Sequence, residues 1–269
     1  ATREKVLKAL ARYDAVPTPI SPVGVRVPQR QGPARNPNVE AEPAHGRGWF
    51  EVQDEGSQIA ALLAGAAPRM QVADICAGAG GKTLAMSARM QNTGQIYAYD
   101  ADPSRFRPIF ERLRRAGARN VQTLPPGEEA ALDAFAGRMD VVLVDAPCSG
   151  SGVWRRRPDA KWRLTPDHLA DRMAVQATLL RRAAGLARDG GVVAYVTCSV
   201  LPSENELQIE AFLAQTSELE PLSIAEYAER VEPRFVLDPG TRRKFGVQLT
   251  PARHGTDGFY IALMRKRGT

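Results

Sequence analysis

From residue 49 onward the chain alternates between two kinds of apolar pattern. Short runs apolar at nearly every position, at 71–76, 95–100, 120–124, 139–145, 191–197 and 259–264, predict strands buried on both faces. Between them, apolar residues recur at helical spacing over about 57–66, 82–90, 103–116, 166–188 and 203–215. Two of these helices carry start signals: Thr165 followed by Pro166, and Ser203 with Glu206 three residues on, the spacing of a capping box. Strand and helix in alternation predict an α/β fold, a mostly parallel sheet covered on both faces. Ligands of such sheets bind beyond the carboxyl ends of the strands.

Residues 1–48 follow another rule. A helical stretch at about 2–13 leads into two short strands within 16–27, around a turn at 21–24, and then into a Pro-, Gly- and charge-rich linker reaching 48. A lone helix and hairpin cannot bury a core of their own. This small α+β piece is therefore expected either to dock on the domain at 49–269 or to belong to something longer.

Composition adds limits. With 43% hydrophobic residues in 269, the chain can bury a sizeable core, so overall disorder is excluded. No run approaches the roughly 18 apolar residues of a membrane span, and the opening ATREKVLKAL has no apolar signal core. A cytoplasmic protein without membrane attachment is the expectation. Three cysteines are too few for a disulfide scaffold, and no metal is expected. The 36 Lys and Arg against 30 Asp and Glu leave +6, which favours a polyanionic partner, and only six of the 36 are Lys. Arg's planar fork suits phosphates and base stacking better than a point charge does. One segment, WRRRPDAKWR at 154–163, interleaves Arg155, Arg156, Arg157, Lys161 and Arg163 with two tryptophans, a composition able to grip phosphates and stack bases.

The first core strand runs into Cys76-Ala77-Gly78-Ala79-Gly80-Gly81-Lys82-Thr83. Glycines in a turn that opens a helix let the backbone approach a ligand and aim free N–H groups at it. A phosphate loop would need glycine where Cys76 stands, and a dinucleotide fingerprint would need glycine or alanine where Thr83 stands. Asp100, at the next strand end, is well placed for ribose hydroxyls. A nucleoside ligand without pyrophosphate satisfies all of this, and S-adenosylmethionine is one.

Two further strands end in chemistry. VVLVDAPCSGSG sets Asp145 and Cys148 beyond the fourth strand, and VVAYVTCSV sets Cys198 beyond the fifth; Cys76 reads as structural. If both strands neighbour the first, both thiols face the glycine loop. Carbon 5 of cytosine is a poor nucleophile, so a thiolate must first add to C6 before C5 can attack a methyl sulfonium. A carboxyl such as Asp145 can protonate or hydrogen-bond ring N3. A second thiol can assist elimination of the adduct. Strand-end position alone leaves open which thiol does which.

On these residues the sequence resembles the RNA cytosine-5 methyltransferases of the bacterial Sun type acting on 16S ribosomal RNA, from about Trp49 to Lys266. DICAGAGGKT, DAPCSGSGVWRRRPDAKWR, TCSVLPSENELQIEAFL and TDGFYIALMRK carry the resemblance. It implies a Rossmann-like class I methyltransferase fold with a seven-stranded sheet. It implies further that Cys198 is the nucleophile, that Cys148 helps release the product, and that Asp145 and Lys82 lie between cofactor and base. S-adenosylmethionine would be held by residues 76–82, Asp100, Arg105, Asp145 and Pro147. Residues 1–48 resemble the latter half of a small RRM-like module. The usual acid after the third strand is absent from TLPPG at 123–127, leaving backbone or Glu128 to meet the adenine. A monomer acting on RNA is expected; the alternatives are a tRNA or DNA cytosine-5 methyltransferase, in the latter case with Cys148 as sole nucleophile, or an idle RNA-binding module.

Overall fold

The computed structural model describes residues 1–29, 36–232, 234, 238 and 241–268. Part of the expected linker, 30–35, lies outside them. The eleven described strands are β1 Val16–Pro17, β2 Val25–Arg26, β3 Gln71–Asp74, β4 Gln95–Ala98, β5 Val121–Thr123, β6 Met139–Asp145, β7 Ala187–Thr197, β8 Leu219–Pro221, β9 Arg242–Arg243, β10 Gly246–Leu249 and β11 Phe259–Lys266.

β1 and β2 form a separate antiparallel hairpin, and the other nine build one sheet in the order β5-β4-β3-β6-β7-β11-β10-β9, with β8 also on β11. Pairings from β5 to β7 are parallel, and those around β11 antiparallel. The seven strands β3–β7, β10 and β11 make the expected core. Sequence periodicity marks six of them and passes over β10, whose GVQL carries a glycine and a polar residue among only two apolar ones. The two short strands β8 and β9 extend the sheet.

Burial explains the near-continuous apolar runs. In β6, Val141 and Leu143 enter one apolar cluster with Ile59, Leu63 and Met86, from the helices Glu55–Leu63 and Gly81–Arg89. Val142 and Val144 enter the opposite cluster with Leu180, Ile209 and Phe212, from the helices Pro166–Leu186 and Glu206–Leu213. Successive side chains point to opposite faces, so a strand covered on both must be apolar throughout.

Two helix expectations change. The single helix at 103–116 is broken into Pro103–Phe106 and Ile109–Ala116, because Pro108 has no N–H to continue the ladder. The capping box at Ser203 is not made: Asn205 precedes the helix Glu206–Leu213, and Glu206 instead accepts the backbone N–H of Lys244, 2.6 Å away. The Thr165 cap does form, its hydroxyl accepting from the His168 N–H.

The N-terminal piece docks on the main domain. The buried Glu55 carboxylate accepts the N–H groups of Ile20 and Ser21 at 2.7 and 2.8 Å, and pairs with Arg26 at 2.7 Å. A charge buried without such partners would be expensive.

Candidate active site

At the carboxyl end of β3 the chain turns through Gly78 (φ +51°) and Gly80 (φ +82°) into the helix Gly81–Arg89. Glycine at 80 is required twice over, since a Cβ would also stand 2.5 Å from Cγ1 of the fully buried Ile109. Asp100, beyond β4, is 3% exposed; its two oxygens accept the N–H groups of Gly78 and Asp102 at 2.8 and 2.9 Å. It therefore braces the glycine turn from behind. Arg112 donates to the Ala79 carbonyl at 2.8 Å and pairs with Glu51, a contact without a local sequence signal.

The turn borders a cleft of about 260 Å³, lined by residues that include Cys76, Ala77, Gly78, Ala79, Gly81, Lys82, Arg105, Arg112 and Asp145. Gly80, Asp100 and Pro147 stand behind this lining, and Glu128 is exposed outside it. The Pro147 carbonyl accepts from the buried Gln176 at 3.0 Å. Burial, with Asp74 and Asp145 nearby, pushes the Cys76 thiol up, in keeping with a structural cysteine.

Lys82, 8% exposed, donates to Asp145 Oδ2 at 2.6 Å, with its ammonium 5.2 Å from the Phe259 ring centre. Three residues on, Cys148 turns toward Cys198, Sγ to Sγ 3.4 Å. The sheet corrects one premise: β6 neighbours β3, whereas β7 neighbours β6, so Cys198 reaches the site across an intervening strand. The hydrogen bond between the thiols and burial push Cys148 well up. Cys198 is held below its ordinary range, first by accepting from Cys148 and then, against burial and Asp145, by the nearby Lys82 ammonium. Cys148 also lines a second hollow of about 380 Å³, bordered by Ser149, Arg163, His168, Asp171 and Arg172.

The basic segment divides in two. Arg155 and Arg156 reach the fully buried Asp257, Arg156 Nε at 2.7 Å, which fixes this loop against β11. Arg157 and Lys161 are exposed, Arg163 pairs with Asp159, and Trp162 is 80% exposed with the Lys161 ammonium 4.6 Å from its ring. The Asp257 anchor lies about a hundred residues away, beyond what local sequence could signal. Among the described residues, no helix is long and apolar enough to cross a membrane, and no group of three His, Cys, Asp or Glu could hold a metal ion.

Sheet order, glycine turn and brace carboxylate together define the Rossmann-like fold of S-adenosylmethionine-dependent methyltransferases. Within that class, residues 61–265 match the family described as 16S rRNA methyltransferase RsmB/F, and the chain belongs to it. It is 31% identical to the probable ribosomal RNA small subunit methyltransferase B of Synechocystis sp., covering 98% of this chain and 58% of that protein. Identity is 35% to ribosomal RNA small subunit methyltransferase B of Pseudomonas syringae pv. tomato, over 85% of this chain and 50% of the relative. Among solved structures, NSun6 from Pyrococcus horikoshii with SFG superposes with a TM-score of 0.74 at 26% identity, covering 87% of this chain and 57% of that one. The chain thus spans about half the length of the curated relatives it matches.

Proposed function

We propose that residues 49–269 form the methyl-transferring domain of an RNA cytosine-5 methyltransferase acting on 16S ribosomal RNA in the cytoplasm, as a monomer, with residues 1–48 contributing part of an RRM-like module. The observation that carries this reading is the thiol pair: two cysteines from different strand ends, 3.4 Å apart, beside a Lys–Asp pair that also lines the glycine-turn cleft.

The cleft suits S-adenosylmethionine. It joins a positive-φ glycine backbone at a helix N-terminus, fit for a carboxylate, to Arg105 and Asp145, with Asp100, behind the glycine turn, as the acid for the ribose hydroxyls. When bound, the cofactor supplies an electrophilic methyl group. Cys198, its thiol held below the ordinary range, forms as thiolate the bond to cytosine C6, and charge moves toward ring N3 and C5. Lys82 holds one oxygen of Asp145, leaving the other to share a proton at N3. After C5 is methylated, its proton leaves and the Cys198–C6 bond breaks. Cys148 serves this release, as a base or by positioning a water. Arg157, Lys161 and Arg163 contribute phosphate contacts, with Arg155 and Arg156 shaping their loop.

The order of steps provides the test. Removing a nucleophile blocks entry to the pathway, whereas removing a release group blocks exit. Cys198→Ala should abolish both methyl transfer and covalent linkage to 5-fluorocytosine RNA. Cys148→Ala should accumulate a denaturant-resistant protein–RNA complex on ordinary RNA. Accumulation by Cys198→Ala instead would reverse the roles, and no adduct from any form on fluorinated RNA would reject thiol chemistry.

A further inference from the structure

Cys148 and Cys198 sit on loops fifty residues apart in sequence, leaving different strands, so neither loop alone sets their separation. Two consecutive residues touch both loops. Glu204 is fully buried, with Oε1 accepting the Ser149 N–H at 2.8 Å and the Gln176 Nε2 at 3.0 Å, and Oε2 accepting the Ser149 hydroxyl. The Glu204 carbonyl is itself held by the Tyr195 hydroxyl of β7, at 2.7 Å. Asn205, also buried, accepts the Thr197 hydroxyl at 2.6 Å through Oδ1 and donates through Nδ2 to the Ser199 carbonyl at 3.0 Å. One side chain thus grips the residue after Cys148, and the next grips both neighbours of Cys198.

We propose that Glu204 and Asn205 are positioning residues that act as a clamp, setting the distance between the two thiols; their catalytic relevance rests on the thiol chemistry proposed above. The residue types suit the task. Glu204 meets two N–H donors and a hydroxyl, which a carboxylate can accept together, whereas Asn205 accepts a hydroxyl through Oδ1 and donates through Nδ2 to the Ser199 carbonyl and the Gln248 amide oxygen, which calls for an amide. Both are buried, where a missing partner is not replaced by bulk water. Supporting ties join the same loops: Gly152 N–H to the Cys198 carbonyl at 3.0 Å and Ser151 to Ser199 through their hydroxyls at 2.9 Å. These ties hold the Cys198 end from the far side of the Cys148 loop, whereas Glu204 holds the residue next to Cys148.

The separation can be read without RNA or cofactor. Phenylarsine oxide condenses with two neighbouring thiols to a cyclic dithioarsenite, releasing water with no net redox change, and holds tightly only when both sulfurs reach one arsenic. Wild type should capture it, and Cys148→Ser should not. Glu204→Ala removes both acceptor oxygens, so the Ser149 N–H, the Ser149 hydroxyl and the Gln176 amide lose the group that gathers them. Its arsenical affinity should fall about tenfold or more, while it still unfolds cooperatively, at a lower melting temperature, and its S-adenosylmethionine affinity stays near wild type. With substrate RNA it should accumulate covalent complex as Cys148→Ala does, which a merely structural residue would not cause. Should Glu204→Ala fail to fold, Ser149→Ala removes a single donor and should lower arsenical affinity by a smaller factor. Capture by the folded variant equal to wild type overturns the clamp while the proposed function stands. Weakened capture supports the clamp even if no form methylates RNA, in which case the proposed function alone falls.

Discussion

Cys148 should tune the acidity of Cys198, and the size of the effect follows from the geometry. At 3.4 Å the two thiols share a hydrogen bond in which either can donate; once Cys198 is a thiolate it can only accept, so the Cys148 S–H is then the donor, and this bond is the first cause holding Cys198 below its ordinary range. A hydrogen bond of about 0.5–1.5 kcal/mol net, at about 1.4 kcal/mol per pH unit, amounts to roughly 0.4–1 unit. The donor favours the charged form, so removing it moves the thiolate midpoint up. Cys148→Ala should raise the Cys198 midpoint by that amount and cut its thiolate fraction at neutral pH about 2.5- to 10-fold. Cys148→Ser, which keeps a donor, should not raise it. Lys82→Met should raise it further, because it removes a cation and leaves the Asp145 charge uncompensated beside the thiol. Alkylation by iodoacetamide between pH 6 and 10, followed at Cys198 by peptide mass spectrometry, measures the midpoint. An unchanged or lowered midpoint in Cys148→Ala would refute the argument.

Asp100→Ala removes two charge-assisted hydrogen bonds behind the glycine turn as well as the proposed ribose partner, so calorimetry should show S-adenosylmethionine binding weakened about ten- to a hundredfold. In the basic segment the effects should separate. Arg156→Ala strips Oδ2 of the buried Asp257 of both Arg156 donors and should cost about 1–3 kcal/mol by urea unfolding. Arg157→Ala with Lys161→Ala should leave stability nearly unchanged while flattening the salt dependence of RNA binding, by about 0.7 in slope for each phosphate no longer neutralised. Asp74 gives a pH test, since burial pushes its carboxyl up to about 7. Because that value lies above the ordinary carboxylate range, its contribution to stability is complete below about pH 4 and is lost as pH rises through 7. Wild type relative to Asp74→Asn should therefore lose stability from pH 4.5 to 8 in urea unfolding, by at most about 4 kcal/mol; a flat difference would mean Asp74 titrates normally.

Features that depend on neighbours along the chain are legible in the order of the amino acids. The apolar run of β6 announces burial on both faces because adjacent residues must point to opposite sides. The glycine turn is legible because positive φ and the approach of Ile109 leave glycine almost no substitute at position 80. The two strand-end cysteines and Asp145 were visible for the same local reason. Relations between distant segments arise only on folding. Periodicity carries no strand order, so it could not show that β6 separates β3 from β7. Nor could local pattern show that Glu206 is drawn from its capping box to Lys244, or that Arg155 and Arg156 hold Asp257. Glu204 reads in sequence as one more polar residue near a helix start, yet it is fully buried among donors from a loop and a helix. The 3.4 Å between Cys148 and Cys198 belongs to this second kind. Local backbone preference chooses elements, while the distance between two side chains on different elements exists only once the sheet has set its order and buried polar groups have found partners across it.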